Sequence, residues 1–366
     1  MFPVMTSASK LNGIAFCLML AAMLLYSLPK SVSFLRSQEQ ALTLFLDGEL
    51  IRKFEASYDR EFPLRAVSVE AWANLQYLLF REGSSGVVLG KDGWLFTNEE
   101  YKVPNAHQQV LARHLERIAE VGAHLREHGK RLILIPVPMK VDIYADRAPS
   151  LDARTPRLYG EFVEQLRRMD IEVAPVRQSF LASKAEQPLF LRTDTHWTPQ
   201  GASLAAREFA RLHPELVGGQ GYRSERVAEK TIAGDLLNFV RFSEWLEPQV
   251  FAADTIPVYE TSQAEQRVDA DQLFGDSEQS IMLVGSSYTK IEDWNFPGFL
   301  KEHLKSDLLT TAVEARGPFY AMEEFLAGEY LANGEIKTVI WEFPVRTLLT
   351  QQASSQSWQA IMNQFF

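Results

Sequence analysis

The chain has 366 residues, 46% of them hydrophobic and 23% charged, a globular composition with room for one large domain or two modest ones. Its formal net charge of −10 disfavours nucleic acid as a partner, because phosphate binding needs clustered Lys and Arg. The one cysteine, Cys17, excludes an internal disulfide and a cysteine-based zinc site.

Residues 11–29, LNGIAFCLMLAAMLLYSLP, carry no charge and are bounded by Lys10 and Lys30. About 19 such residues approach the length that spans a bilayer. The run exceeds the usual apolar core of a cleavable signal peptide and no A-x-A site follows, so an uncleaved anchor is expected. Phe16 is too bulky for the position before a lipoprotein cysteine. Residues 1–33 are assigned to this signal anchor, and the rest of the chain is expected to be exported.

A helical lead-in is expected over residues 34–85. Leu42, Phe45, Leu46, Leu50 and Phe54 fall at helical spacing within 38–58, and Pro63 stops that helix. A second helix is expected over 64–81, with Trp72, Leu75, Leu79 and Phe80. VVLGKDGWLF then reads as two short strands around the Asp92-Gly93 turn. The spacing predicts a long helix over 106–128, ended by Gly129.

From there the pattern alternates. RLILIPVP (131–138) is a continuous apolar run, as expected of a strand buried on both faces. A helix over 155–169 leads to a strand in IEVAPV. Strands follow at 280–285 (SIMLVG), near 308–313 and at 338–343 (TVIWEF), with a helix at 319–332. Strands alternating with helices predict an α/β domain over 86–366 with a mostly parallel sheet. Residues 214–279 are less regular and read as an insertion or a substrate-shaping region.

Two stretches can carry chemistry. In LRTDTHWTPQG, Thr198 is a candidate N-cap and Pro199 the first residue of a helix, so Asp194 and His196 lie in a helix-entry loop. If that loop is extended, side chains two apart point the same way. Asp194 can then orient the imidazole, and Trp197 can wall the site from water. The pair can equally be two solvated loop residues. In LVGSSYTK a buried strand ends at Gly285, and ligands gather at the carboxyl ends of parallel strands. A serine on the turn leaving such a strand is placed for attack, with backbone N–H groups facing a developing oxyanion. The residue two beyond Ser287 is Thr289, so this is not the G-x-S-x-G elbow. Together the two stretches supply a nucleophile, a base and an orienting acid. His124 and His128 sit four apart on a helix, but no third ligand is evident and no metal is expected.

GKDGWLF (90–96), PVPMKVDIY (136–144), TDTHWTPQGA (193–202), GSSYT (285–289) and WEFPVR (341–346), in this order, resemble the alginate O-acetyltransferase family, AlgJ and AlgX, whose shared domain is SGNH-hydrolase-like. The resemblance spans most of the chain after the anchor. It implies that Asp194 and His196 are the family's D-x-H pair and Ser287 the serine of its G-x-S element. It implies an acetyl-serine intermediate and acetylation of mannuronate hydroxyls in an exported polysaccharide. The D-x-H pair precedes the serine, the reverse of ordinary SGNH hydrolases. The anchor, and the short amphipathic tail in place of a carbohydrate-binding module, favour the AlgJ type. No cofactor is implied. The implied partners are a membrane-bound O-acyltransferase that relays the acetyl donor, an AlgX-like protein and the polysaccharide, at the periplasmic face of the inner membrane. Arg316 falls at the family's spacing for a loop arginine, and the Gly317 N–H can join an oxyanion hole; both can equally belong to a surface turn. Tyr288 either lines the site or fills core, and Lys140 at the rim reads as structural. The alternatives are a polysaccharide O-acetyl esterase with the same residues, and a scaffold of the acetylation machinery without catalysis.

Overall fold

The computed structural model describes residues 7–62, 65–80, 82–83, 85–240, 242–264, 281–314 and 317–349. Pro63, Arg316 and the amphipathic stretch at 354–366 lie outside the described residues. The chain divides into two compact units, Met1–Trp72 and Ala73–Phe366.

In the first unit a helix spans Ser7–Ser37 and runs through Pro29. Its stretch Lys10–Ser37 is long and apolar enough to cross a membrane. The single helix expected over 38–58 is two, Ala41–Leu46 and Glu49–Glu61. Gly48 separates them at φ +74°, a left-handed conformation that an α-helix cannot continue through. Phe34 meets Phe54 edge-on at 5.4 Å, and Tyr26 meets Phe62 at 5.7 Å. The helix expected over 64–81 spans Arg65–Phe80, and Trp72, Leu79 and Phe80 on it are exposed.

The second unit opens with the expected hairpin. Strand β1 (Val87–Leu89) pairs antiparallel with β2 (Leu95–Thr97), and the helix His107–Glu127 follows. Next come β3 (Arg131–Val137), the helix Thr155–Arg168 and β4, which is only Glu172–Val173. The helix Pro199–Leu212 leads to β5 (Tyr222–Ile232) and β6 (Asp254–Gln263). Last are β7 (Ile281–Gly285), β8 (Leu309–Ala312) and β9 (Thr338–Pro344). The helix expected over 319–332 is shorter, Tyr320–Ala327, and stops at Gly328 before a 3₁₀ turn.

One five-stranded sheet runs in the order β4-β3-β9-β7-β8 with every pair parallel. This is the α/β architecture expected from the apolar runs. Its middle strands β9 and β7 are buried along their whole length, because helices cover both faces. Because all five strands run parallel, the carboxyl ends of the neighbouring strands β3, β9 and β7 lie side by side at one end of the sheet.

The region read as irregular holds a long antiparallel ribbon, β5 with β6, with a register shift between Arg226 and Ala228. Its alternation is weak because most of β5 is exposed, which left no clean period in the sequence. Tyr259 on β6 packs edge-on against Phe299 at 5.2 Å, which seats the ribbon on the helix Phe296–Leu304. The segment between the two strands joins a small second core with β1 and β2, including Leu236, Val240, Phe242 and Phe251.

Ile340, wholly buried on β9, tests the central ladder. Ile340→Ala should cost about 2–5 kcal/mol, the usual range for an aliphatic-to-alanine change in a close-packed core. Urea unfolding of the parent and variant measures it.

Candidate active site

Residues 192–196 form a series of bends enclosed by the isolated bridge Phe190–Trp197, just before the helix that Thr198 caps. The Thr198 hydroxyl accepts from the Gly201 N–H at 3.1 Å, and Pro199 opens the helix. The loop is not extended, and the pleat does not bring Asp194 and His196 together. Asp194 Oδ1 accepts the backbone N–H of His196 at 2.8 Å, an Asx turn that brings the imidazole round to the same oxygen. His196 Nδ1–H donates to that oxygen at 2.6 Å. The other ring nitrogen, Nε2, accepts from the Ser287 hydroxyl at 2.8 Å. The network assigns this tautomer.

Ser287 stands where β7 leaves the sheet. Ser286 caps a single helical turn, Ser287–Lys290, by accepting the Tyr288 N–H at 3.2 Å. The Ser287 N–H therefore lies at a helix start, where backbone donors have no intrahelical acceptor. A Cβ on Gly285 would stand 2.2 Å from Thr289 Oγ1, so only glycine lets the turn close. Under the turn lies Glu342 of β9. It accepts the Ser286 N–H at 2.9 Å, the Ser286 hydroxyl at 3.0 Å and the Thr289 hydroxyl at 2.8 Å. Burial raises the Glu342 pKa, and these three donors only partly offset the rise.

Lys140 follows β3 and is 2% exposed. Its ammonium donates to the carbonyls of Leu95 at 2.6 Å, Arg192 at 2.9 Å and Asp194 at 2.9 Å, so it braces the D-x-H loop from beneath. Burial pushes its pKa down to about 8, against the pull of Glu100, Asp194, Asp254 and Asp235. Glu100, itself buried, accepts the N–H groups of Lys140 and Val141. Arg192 adds a further tie, its N–H and guanidinium meeting Asp254 of β6 at 2.7 and 2.9 Å.

Tyr288 is buried, with its ring 4.7 Å from the imidazole. Its hydroxyl donates to the Thr195 carbonyl at 2.5 Å and accepts from Arg346 at 2.6 Å. Trp197, expected to wall the site, is 0% exposed and packs behind Tyr288 and against Phe296. Its ring is thus core rather than a surface for substrate. The tryptophan whose ring stacks on His196 is Trp294, at 5.7 Å and 25°. Gly317 has φ +75°, and no hydrogen bond among the described residues joins it to Ser287 or His196. The rings of His124 and His128 meet edge-on at 4.5 Å, and His128 Nδ1 is 2.9 Å from the His124 carbonyl.

Asp235 is the acid that sequence reasoning missed. It opens the 3₁₀ turn Asp235–Phe239 just after β5. Its N–H donates to Asp194 Oδ2 at 2.9 Å, and its carboxylate accepts the Thr195 N–H and hydroxyl at 2.8 and 2.6 Å. Nothing periodic surrounds it, so the sequence held no signal beyond the Gly-Asp pair. Glu342 did leave one, as the lone charge in the apolar run TVIWEF. Asp194 and Asp235 diverge electrostatically. Burial raises Asp194, but the hydrogen bond and charge of His196, with the N–H groups of Asp235 and His196, outweigh it and hold the carboxyl below its ordinary range. Partial burial and the Asp194 charge hold Asp235, which is 41% exposed, above its own.

A serine hydroxyl pointed at an imidazole, whose far nitrogen is tied to a carboxylate, suits proton removal and attack on an acyl carbon. With the parallel sheet, this places the protein among SGNH-hydrolase-like enzymes. The profile described as "SGNH hydrolase-like domain, acetyltransferase AlgX" matches residues 87–345. A Pseudomonas aeruginosa protein named "Probable alginate O-acetylase AlgJ" is 36% identical over 84% of this chain and 81% of its own length. Its Pseudomonas putida namesake is 35% identical over 86% and 83%. The solved O-acetyltransferase domain of Pseudomonas putida AlgJ superposes with a TM-score of 0.68 at 31% identity, covering 76% of this chain and 98% of that one. The chain belongs to this AlgJ/AlgX family and is an O-acetyltransferase.

Glu342→Gln preserves the side chain's shape and removes its titration. A carboxyl whose folded pKa is raised contributes stability fully below its unfolded value, near 4.5, and loses it as pH rises through the folded value. Relative to the parent, the variant's urea midpoint should therefore move upward between pH 4 and pH 8, which paired denaturation curves would show.

Proposed function

We propose that the protein O-acetylates hydroxyls of an exported polysaccharide, with alginate mannuronate as acceptor, through an acetyl-Ser287 intermediate. The observation that carries this reading is the continuous Ser287–His196–Asp194 hydrogen-bond chain at 2.8 and 2.6 Å. The names of its relatives support the acceptor.

In the first half-reaction Ser287 Oγ attacks the acetyl carbonyl carbon of the donor while its proton passes to His196 Nε2. The tetrahedral oxyanion faces the Ser287 N–H at the start of its helical turn. Collapse breaks the bond to the leaving group, which takes the proton from His196 and departs. In the second half-reaction a sugar hydroxyl gives its proton to His196 Nε2 and its oxygen attacks the acetyl-serine. The Ser287 oxygen leaves and recovers that proton. Asp194 keeps Nδ1–H in place and stabilises the imidazolium formed in each half. The half-buried position of Ser287 leaves it open to donor and acceptor. Arg316, with the Gly317 N–H, is proposed to steady the oxyanion or the uronate carboxylate.

The assigned organisation is an anchor over residues 1–33, a helical lead-in over 34–85 and the acetyltransferase domain over 86–366. The apolar helix supports attachment to the inner membrane with the domain in the periplasm. There a membrane-bound O-acyltransferase is proposed to supply the acetyl group, and an AlgX-like protein to share the acceptor.

The test incubates the full chain in detergent with an activated acetyl ester and mannuronate oligomers, which are then weighed by mass spectrometry. The parent should add acetyl masses, and Ser287→Ala and His196→Ala should each lose at least about 10³-fold in rate. Asp194→Asn should lose on the order of 10²–10⁴-fold, because the imidazole is no longer held in one tautomer. Ester cleavage that needs Ser287 but leaves the oligomers unchanged would overturn the transferase reading and favour hydrolysis.

A further inference from the structure

Two carboxylates stand within 4 Å of His196 Nδ1, and the proposed mechanism uses only one. Asp194 accounts for the Nδ1–H bond. Asp235 Oδ2 stands 3.9 Å from the same nitrogen, while the hydrogen bonds that its carboxylate accepts come from Thr195 of the loop that carries the histidine. We infer that Asp235 is a positioning residue of the acetyl transfer, clamping the D-x-H loop through Thr195 and adding a second anion beside the imidazolium. This inference rests on the Ser287–His196–Asp194 reading above.

The clamp is reciprocal. Asp235 gives its N–H to Asp194 Oδ2 and takes the N–H and hydroxyl of Thr195, while the next residue, Leu236, donates its N–H to the Thr193 carbonyl at 3.2 Å. Each residue from Thr193 to Thr195 is thereby bonded to residue 235 or 236. The approach is close enough that a Cβ on Gly234 would stand 2.0 Å from the Thr193 carbonyl oxygen. Packing holds the clamp from behind, since Leu236 is 1% exposed in the second core. A turn needed only for folding would not require a carboxylate whose side chain is 41% exposed and lies next to the imidazole.

The electrostatic part follows from the charges that face the ring. From the loop comes Asp194, from the turn after β5 Asp235, from β9 Glu342, and from the nucleophile turn the neutral phenol of Tyr288. Lys140 from the end of β3 and Arg346 after β9 stand further out, acting on Asp235 and Tyr288 respectively. When His196 accepts a proton from Ser287 or from the sugar, the nearby anions become attractive in the transition state and not before. This is the differential stabilisation that raises kcat rather than tightening substrate binding.

The test measures ester cleavage by the full chain against pH for the parent, Asp235→Asn, Thr195→Val and Ser287→Ala, with thermal melts beside each. Asp235→Asn keeps the backbone donor and an acceptor for the Thr195 N–H but removes the charge. It should lose roughly tenfold in kcat with KM unchanged, a change equal to about one pKa unit of interaction. Its acidic limb should move to lower pH, since the imidazolium has one anionic neighbour fewer. Thr195→Val cuts the hydroxyl bond and keeps the charge, so its kcat should fall while the limb stays in place. An Asp235→Asn rate within twofold of the parent, or a fall in kcat with an unmoved limb, would overturn the inference. Should Asp235→Asn melt before assay temperature, Asp235→Glu replaces it: retained charge at a displaced position should keep the limb and lower kcat, and a parental kcat would overturn the clamp. An inactive Ser287→Ala beside an unaffected Asp235→Asn sinks the Asp235 inference alone, whereas an active Ser287→Ala sinks both readings.

Discussion

Residues 192–196 carry neither helix nor strand, so their buried polar groups have to be satisfied one at a time. That constraint organises the whole neighbourhood. The Lys140 ammonium takes the carbonyls of Arg192 and Asp194, and the Tyr288 hydroxyl takes that of Thr195. The Leu236 N–H takes the Thr193 carbonyl, and Asp235 takes the Thr195 N–H. These groups reach the loop from the end of β3, from the turn after β7 and from the segment between β5 and β6. An irregular loop pinned by three distant segments can hold an imidazole to a fixed geometry only while the sheet holds those segments in register.

The parallel sheet was legible because its inner strands β3, β9 and β7 are buried on both faces and therefore read as unbroken apolar runs. Gly285 and the serines after it were legible as a strand end. Asp194 and His196 were legible as a pair, but the reason for their approach was not. An extended loop was the simplest geometry for side chains two apart, whereas the Asx turn uses the Asp194 side chain to fold its own backbone. Asp235 and the β5–β6 ribbon were illegible for one shared reason. The ribbon is largely exposed, so burial imposes no alternation on it, and the turn that follows is fixed by contacts with residues about forty positions earlier. Local pattern reasoning sees burial and misses partnership. Trp197, the neighbour of His196 in the chain, packs behind Tyr288 in the bent loop, and Trp294 from a distant turn faces the ring.

Charge placement explains why an acidic protein can bury so many carboxylates at one site. Glu100, Asp194 and Glu342 are each nearly inaccessible, and each accepts backbone N–H groups. Glu100 thereby holds the helical turn that presents Lys140, Asp194 holds the imidazole, and Glu342 holds the turn that presents Ser287. A buried carboxylate without such donors would instead take up a proton or unfold its surroundings. The acids therefore divide the work of shaping backbone that the sheet itself does not reach.

The same division bears on how acyl transfer differs from hydrolysis in a site with this geometry. On the reading proposed above, the serine, imidazole and first carboxylate would serve both reactions equally, since water and a sugar hydroxyl present the same proton to the same nitrogen. What can distinguish them is how firmly the base is aimed at a bound acceptor compared with free solvent. A loop fixed through its side chains and nearly every backbone polar group aims its imidazole along one line, towards the half-buried oxygen of Ser287. An acceptor hydroxyl held on that line gains the advantage of proximity over water, which must find the geometry by diffusion. On the acyl-transfer reading proposed above, the fixed geometry of residues 192–196 is the feature that would favour a positioned sugar as acceptor.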